Sequence, residues 1–209
     1  MPVIKAKKAI LFIIMLFACL GFALESSNEV KYVSDGDTIV LDSGDTIRYL
    51  GIDAPEIDRE GGKSEFLAED ARDFNLSLVK HAKLSLEYDR ETRDHYGRIL
   101  AYVFLENGDM VNAILIRNGM AHVMSKAPNI KYRAILLDCQ REAMKKRLGI
   151  WSRERKKEEK FYLGNKHSYR FHRPGCPFAD KISRQNVVRF MSRYEAFWEG
   201  YSPCKGCRP

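Results

Sequence analysis

The stretch Arg48-Tyr49-Leu50-Gly51-Ile52-Asp53-Ala54-Pro55-Glu56 decides how the first two thirds of this chain can fold and act. It places a cation, two carboxylates and a rigid proline turn close together. A second acidic turn, Asp35-Gly36-Asp37, precedes it, and a second arginine, Arg98, follows in another strand-like segment. Carboxylates bind hard divalent cations and arginines bind phosphate, so the combination is typical of metal-assisted cleavage of phosphodiester bonds.

Length and charge set broad limits. The chain has 209 residues and a formal net charge of +7, which allows one sizeable domain plus a small one. The positive charge suits a polyanionic partner, although a basic protein without such a partner would have the same composition. Three of the five cysteines lie near the C-terminus with a histidine, a grouping that indicates metal rather than a disulfide framework.

The N-terminal segment has the pattern of an export signal. A cluster of lysines precedes the apolar run of residues 9–24, which is shorter than the ~20 residues that a spanning helix needs. We therefore predict that residues 1–24 are a signal peptide or an N-terminal membrane anchor, and that the protein is secreted or extracytoplasmic. Cys19 lies in a partial lipoprotein motif, so lipidation is the alternative.

Short strand-like runs follow from residue 29. They cover residues 30–33, 38–41, 46–50, 83–88 and 99–105. Helical patterns begin at Ser64 and at Pro128, and a short one covers residues 111–117. The predicted inward face of the helix after Pro128 is Ile130, Ala134, Leu137 and Met144. Five strands with a helix after the third fit a β-barrel plus α class, the five-stranded Greek-key barrel of the OB type.

The composition changes near residue 160. Residues 152–160 carry mixed charge without apolar side chains, which predicts a solvated linker. Residues 161–209 are rich in Pro, Gly, Cys and aromatic residues, and we call them the C-terminal module. We therefore predict a barrel domain over residues 29–151, followed by the linker and the module.

The acidic pair is the first candidate for a cation site. Asp37 begins a strand and Asp53 ends one, so both could lie at one rim of a barrel, where their oxygens suit Ca²⁺ or Mg²⁺. Arg48 and Arg98 lie among strand-forming residues; such arginines are usually solvated, but two could together bind a phosphate. Glu56 could hold or deprotonate an attacking water. Each motif alone is also compatible with an ordinary turn.

These residues coincide with the pattern of a known family. Residues 29–151 resemble the staphylococcal nuclease (thermonuclease) family, with motifs in the same order. The shared segments are residues 34–38, 47–56, 94–103, 111–121 and 148–151. The resemblance implies an OB-fold, Ca²⁺-dependent endonuclease that cuts DNA and RNA and leaves 3′-phosphate ends.

The resemblance also assigns roles to individual residues. The implied Ca²⁺ ligands are Asp37, Asp53 and the main-chain carbonyl of Ala54. The implied catalytic residues are Arg48 and Arg98, which would bind phosphate, and Glu56, which would position or activate water.

The implied substrate-binding residues are His95 and Tyr96, beside the nucleotide phosphate. His122 and Met124 stand where the family has two tyrosines that line the nucleotide pocket. The resemblance therefore gives no base preference for this chain.

The C-terminal module carries a second ligand pattern. His172-x₃-Cys176 is followed, after 27 intervening residues, by Cys204-x₂-Cys207. This paired spacing predicts a tetrahedral structural zinc site. A segment this short buries little surface, so a metal would stabilise it. The alternative is a disulfide between two of the cysteines, with the histidine exposed.

Residues 171–209 also resemble the Ada-like metal-binding module, in which four such ligands hold a small αβ unit. The matching positions are Asn186, Phe190, Ser192, Glu195, Ala196, Gly200, Tyr201, Pro203, Cys204, Lys205, Cys207 and Pro209. His172 stands where that family has its methyl-accepting cysteine, so we predict no methyl transfer. A role in holding nucleic acid is the better hypothesis; the basic residues available for it are Arg170, Arg173, Lys181, Arg184 and Arg189.

Two functional classes follow. The first is an exported, metal-dependent, sugar-nonspecific nuclease with DNA and RNA as substrates. The second is a non-catalytic nucleic-acid-binding OB-fold protein at the cell surface. Non-catalytic relatives of the nuclease family lose the acidic residues, whereas all the proposed active-site side chains are present here, which favours the enzyme. The sequence predicts no protein partner.

Overall fold

The computed structural model describes residues 28–153 and 158–209. The predicted leader, including Cys19 and residues 9–24, lies outside the described residues, and so do residues 154–157 of the predicted linker. Of the helices in the described ranges, none combines the length and apolar character needed to cross a bilayer.

The barrel consists of short strands and three helices. The strands are β1 (Val30–Asp35), β2 (Thr38–Leu41), β3 (Thr46–Tyr49), β4 (Ile52–Asp53), β5 (Leu84–Glu87), β6 (Ile99–Leu105) and β7 (His122–Val123). The helices are α1 (Ala68–Val79), α2 (Val111–Arg117) and α3 (Arg133–Lys145). Five strands form a sheet in the order β1-β2-β3-β6-β5, and β4 pairs with β7. The predicted OB-fold class, β-barrel plus α, is confirmed.

The core is built around the inner strands of the sheet, and β2 is buried along its whole length. Ile47 and Tyr49 in β3 and Ala101 and Val103 in β6 are almost completely buried. Burial of a large apolar side chain such as Ile47 stabilises the fold by about 2 kcal/mol. Strands β3 and β6 run parallel, with Ile47 opposite Ile99, and this register places Arg48 in β3 beside the strand that Arg98 directly precedes.

The first helix starts later than the sequence predicts. It begins at Ala68, after Leu67 in a left-handed conformation with φ 64°. Ser64 is not its cap, because the Ser64 hydroxyl instead accepts a hydrogen bond from the Asp58 N–H in the preceding loop.

The third helix begins at Arg133 rather than at Pro128. The side chain of Asn129 both accepts from and donates to the main chain of Glu91, which holds this segment as a loop. The prediction that Ile130 and Ala134 face inward is wrong, since both are exposed. The buried residues of α3 are Leu136, Leu137, Cys139, Gln140, Ala143 and Met144.

The C-terminal module is a small αβ unit. Its strands are β8 (Tyr162–Asn165), β9 (Arg170–His172), β10 (Val187–Phe190) and β11 (Ser202–Pro203), and its helix is α4 (Arg193–Trp198). The sheet order is β10-β8-β9-β11. Its core is mainly aromatic: Tyr162, Phe171, Phe190, Phe197 and Tyr201, joined by Met144 from α3.

The module packs against α3 and against the end of the barrel where β4 and β7 pair. Gln140 is fully buried; it accepts a hydrogen bond from the Val123 N–H at 2.7 Å and donates to the Phe197 carbonyl. Arg141 donates to the Trp198 carbonyl at 3.1 Å. These contacts place the module beside the carboxylates at the end of β4.

Candidate active site

Asp37 lies at the start of β2 with both carboxylate oxygens occupied. Its Oδ1 accepts from the Thr38 hydroxyl at 3.0 Å, and its Oδ2 accepts from the Ala54 N–H at 2.7 Å. The approach of the two loops requires Gly36, since a Cβ there would lie 2.6 Å from the Cβ of Ala54. The glycine of the acidic turn therefore sets the distance between the two carboxylate loops.

Arg48 joins the two acidic residues. Its Nη2 lies 3.0 Å from Oδ2 of Asp37 and 2.9 Å from Oδ1 of Asp53. Its Nη1 donates to the main-chain oxygens of Tyr49 at 2.8 Å and Ile52 at 2.9 Å. Arg48 is buried, so it is not the solvated strand arginine that is commonest in such positions. In the substrate-free protein it fixes the geometry of the carboxylates.

The two carboxylates sit in different electrostatic surroundings. Burial raises the pKa of Asp37, and the neighbouring carboxylates of Asp35 and Asp53 add to this effect against the attraction of Arg48. Burial acts in the same direction on Asp53, but His122, Arg48, Lys205 and Arg170 outweigh it and lower the pKa of Asp53. The surroundings therefore oppose the ionisation of Asp37 and favour that of Asp53.

His122 is mainly neutral at pH 7. Burial lowers its pKa to about 4, even though Asp53 acts in the opposite direction. Besides His122, the cations that lower the pKa of Asp53 are the guanidinium groups of Arg48 and Arg170 and the ammonium group of Lys205.

Arg98 lies in the loop that leads into β6. Asp94 organises this loop by accepting hydrogen bonds from the Tyr96 N–H and the Arg98 N–H, both at 3.0 Å, and from Nε of Arg98 at 2.8 Å. Because Ile99 is opposite Ile47, strand alternation puts Arg98 on the same face of the sheet as Arg48. Its side chain is one-third exposed, which leaves it accessible to a substrate.

His95 and Tyr96, the predicted substrate-binding residues, belong to the same loop. Their rings are 3.8 Å apart, and the Arg98 guanidinium lies 5.5 Å from the centre of the Tyr96 ring. Tyr96 is 75% exposed, so its ring offers a free surface beside Arg98. The structure brings these three residues together as a group at the edge of the sheet.

Glu56 lies in the exposed loop after Asp53, and its nearest cation comes from the C-terminal module. Lys205 Nζ is 3.1 Å from Oε1 of Glu56 and 3.7 Å from Oδ1 of Asp53. Desolvation lowers the pKa of Lys205, but Asp53 and Glu56 outweigh it, so the pKa is raised. Sequence reasoning missed the contact of Lys205 with these carboxylates, because a lysine between two cysteines of a predicted zinc site carries no signal for a partner in the barrel.

The two positions that depart from the family pattern also face the module. The His122 ring lies edge-on to the Phe197 ring at 5.4 Å between centroids. The sulfur of Met124 accepts a hydrogen bond from Nη2 of Arg170 at 3.0 Å. The surface where the family has two tyrosines is thus covered here by the second unit of the same chain.

The cysteines and histidine of the module converge. One ligand atom from each of His172, Cys176, Cys204 and Cys207 can be chosen so that all lie within 4.8 Å of one another. Tetrahedral zinc with bonds of about 2.3 Å to sulfur needs ligand atoms about 3.8 Å apart, so the group fits a metal ion. All the cysteines in the described ranges are free, which argues against the disulfide alternative. We call these four residues the zinc cluster.

Two family models match the chain. The one described as "Staphylococcal nuclease homologue" matches residues 46–153, about half of the chain. The one described as "Metal binding domain of Ada" matches residues 147–209.

Curated relatives agree with the first match. The chain is 39% identical over 127 residues to the thermonuclease of Staphylococcus intermedius, which covers 59% of this chain and 75% of that protein. It is 36% identical over 138 residues to the thermonuclease of Staphylococcus hyicus, covering 65% and 81%. It is also 39% identical over 140 residues to endonuclease YncB of Bacillus subtilis (strain 168), covering 61% and 66%. The chain therefore belongs to the staphylococcal nuclease family and is a nuclease of the hydrolase class, with an Ada-type metal-binding module at its C-terminus.

Proposed function

We propose that this nuclease is a Ca²⁺-dependent endonuclease that hydrolyses phosphodiester bonds in both DNA and RNA and leaves 3′-phosphate ends. The observation that carries the proposal is the convergence of Asp37 and Asp53 on Arg48, directly beside the main chain of Ala54. The five residues Asp37, Arg48, Asp53, Ala54 and Glu56 are called the carboxylate site below.

The donor set of this site fits calcium. Asp37, Asp53 and the carbonyl of Ala54 would hold the ion, because Ca²⁺ prefers carboxylate and carbonyl oxygens. Two buried carboxylates share one guanidinium, and burial opposes the ionisation of Asp37, so a further cation would be stabilising. When bound, the ion would supply a Lewis acid that polarises the phosphate.

The protein side chains would activate the attacking water and bind the phosphate. Glu56, with 58% of its side chain exposed, can orient a water toward phosphorus and accept its proton. A bond forms between the water oxygen and phosphorus, and the bond from phosphorus to the 5′ oxygen breaks, with a proton from solvent reaching the leaving oxygen. Arg98 would bind the non-bridging phosphate oxygens as negative charge develops there. Arg48 would hold the carboxylates and share its guanidinium with the phosphate.

The test is digestion of plasmid DNA and of a structureless RNA, each with Ca²⁺ or with a chelator. We expect both substrates to be cut only with Ca²⁺, and the fragments to carry 3′-phosphates that block extension by a polymerase until a phosphatase removes them. The matched variant is Asp53→Asn, which nearly keeps the shape of the side chain and removes the negative charge of one proposed Ca²⁺ ligand. Cleavage that continues in chelator, or ends that a polymerase extends directly, would contradict the proposal.

We also propose that zinc occupies the zinc cluster and that the module assists nucleic-acid binding. The module carries exposed basic side chains and lies beside the carboxylate site, so it can extend the surface that meets the phosphate backbone. Atomic emission of the purified protein would give the zinc content. A mobility-shift titration with Ca²⁺ omitted, so that zinc is retained, would show whether the basic residues of the module contribute to affinity.

Export is the last part of the proposal. It rests on the lysine cluster and the apolar residues 9–24, which lie outside the described residues. Fractionation of cells that express the full chain, with N-terminal sequencing of the product, would distinguish a cleaved secreted form from one retained at the membrane. Recovery of the intact chain in the cytoplasm would contradict export.

A further inference from the structure

Lys205 connects the two metal sites of the molecule. It lies between Cys204 and Cys207 in the loop after β11, and its Nζ meets Oε1 of Glu56 at 3.1 Å, a residue 149 positions earlier in the chain. The same Nζ is 3.7 Å from Oδ1 of Asp53. A side chain from the zinc cluster loop therefore belongs to the carboxylate site.

The backbone next to Lys205 is held by hydrogen bonds, while the ammonium end of its side chain is largely exposed to solvent. The Cys204 N–H donates to the Phe171 carbonyl at 2.9 Å, and the Cys204 carbonyl accepts from the Arg208 N–H at 2.9 Å. Zinc ligation by Cys204 and Cys207 would hold the backbone on both sides. In contrast, 63% of the lysine side chain is exposed, so its ammonium group can change partners without a change of backbone.

The charge balance of the carboxylate site indicates a second partner for the Lys205 ammonium group, a phosphate of the substrate. With an ion bound, Asp37 would be ionised despite its raised pKa, so that Asp37, Asp53 and Glu56 would carry three negative charges against the one positive charge of Arg48. A divalent cation would cancel the remaining two, and Lys205 would then lose its attraction to the carboxylates. The substrate brings a new negative phosphate, whose charge increases as water adds, and an ammonium group nearby stabilises that charge.

A second cation of the module, Arg170, adds positive charge beside Lys205 and so supports a phosphate as its partner. Arg170 donates through Nη1 to the Pro203 carbonyl at 3.0 Å, next to the zinc cluster loop, and its charge acts on Asp53 and His122. The face of the module that covers the β4–β7 end of the barrel is thus positively charged. That is the sign that suits a phosphate backbone rather than a metal ion.

We propose that Lys205 is a substrate-binding residue of the nuclease site, supplied by the zinc cluster loop: it pairs with Glu56 and Asp53 in the free protein and with a phosphate oxygen of the bound nucleic acid during cleavage. The inference rests on the proposed Ca²⁺-dependent cleavage. It makes the active site a composite of the barrel and the module.

The test combines two measurements with opposite expected signs on Lys205→Met, which keeps an unbranched side chain one atom shorter and removes its charge. Calorimetric titration with Ca²⁺ alone should give binding about threefold tighter than wild type, because a competing cation at an exposed pair is gone. Cleavage of a short single-stranded DNA should show kcat/KM about 30-fold lower, because a charged contact to the phosphate is lost. Lys205→Arg should recover most of the activity.

The control is Lys166→Met, which removes the same charge from an exposed position between β8 and β9; it should resemble wild type in both measurements. Tighter Ca²⁺ binding with unchanged or faster cleavage would overturn the proposal, since Lys205 would then only block the ion site. Unchanged or weaker Ca²⁺ binding would overturn it as well. If wild type itself does not cleave with Ca²⁺, the proposed function fails; if wild type and Lys205→Met cleave equally, only the role of Lys205 fails.

Discussion

The carboxylate site and the zinc cluster hold their groups by different physical means. Asp37 directly precedes β2, Arg48 lies in β3 and Asp53 ends β4; the three lie over a large core, and direct contacts already join them. The zinc cluster packs with few apolar neighbours, Leu163, Ala179 and Ile182. The barrel therefore organises its site before any ion arrives, whereas we expect the zinc cluster to need the metal for its stability. A change in the first should alter chemistry, and a change in the second should alter folding.

The largest expected effect is on turnover and comes from Arg98→Ala. We expect kcat to fall by about 1,000-fold, as when a group that stabilises developing charge is removed. The fold should persist, because Asp94 keeps its hydrogen bonds from the Tyr96 N–H and from the N–H of residue 98. Cleavage assays and thermal unfolding measure the two quantities.

The control for this variant is Arg72→Ala, which removes a partly exposed arginine of α1 that pairs with its neighbour Asp73. A turnover of Arg98→Ala within about threefold of wild type would contradict its assignment. A large drop in the unfolding temperature of Arg98→Ala would show that Arg98 also stabilises the fold. The barrel site would then differ less from the zinc cluster, where we expect substitutions to act on folding.

The next effect is on the module and comes from Cys204→Ala. We expect the zinc content to fall to near zero and the module to unfold, at a cost of more than about 3 kcal/mol, while the barrel remains folded. Metal analysis and limited proteolysis would detect both changes. Cys139→Ala is the control, since Cys139 is a buried thiol of α3 outside the cluster. Full zinc content in Cys204→Ala would show that the ligand set is wrong.

A smaller effect should follow from Gln140→Leu, which acts on the contact between the two regions. The change leaves the Val123 N–H and the Phe197 carbonyl buried without their partner, at a cost of about 2 kcal/mol. Urea unfolding should then show the module separating from the barrel before the barrel unfolds. Gln185→Leu, at an exposed position, should unfold as wild type does. A single transition at the wild-type midpoint would contradict this role of Gln140.

Local patterns predicted much of the barrel. The bounds of β2, β6 and α2 agree with the sequence prediction because alternating or helical apolar spacing and adjacent turn residues fix them locally. The β4–β7 pair escaped prediction, since strands of two residues have no detectable period. The late start of α3 escaped for another reason: the contact between Asn129 and Glu91 joins distant segments.

The same division applies to function. By itself, the sequence determined the kinds of chemistry available, because carboxylates, guanidinium groups and the Cys/His spacing are properties of residue type and order. Those features were enough to indicate the family and the metal-binding module. Tertiary structure alone decided that Lys205 meets Glu56 and that His122 and Met124 face the module. These contacts depend on how the barrel and the C-terminal module pack, for example through the hydrogen bond from Gln140 to the Phe197 carbonyl. No local sequence pattern encodes that packing.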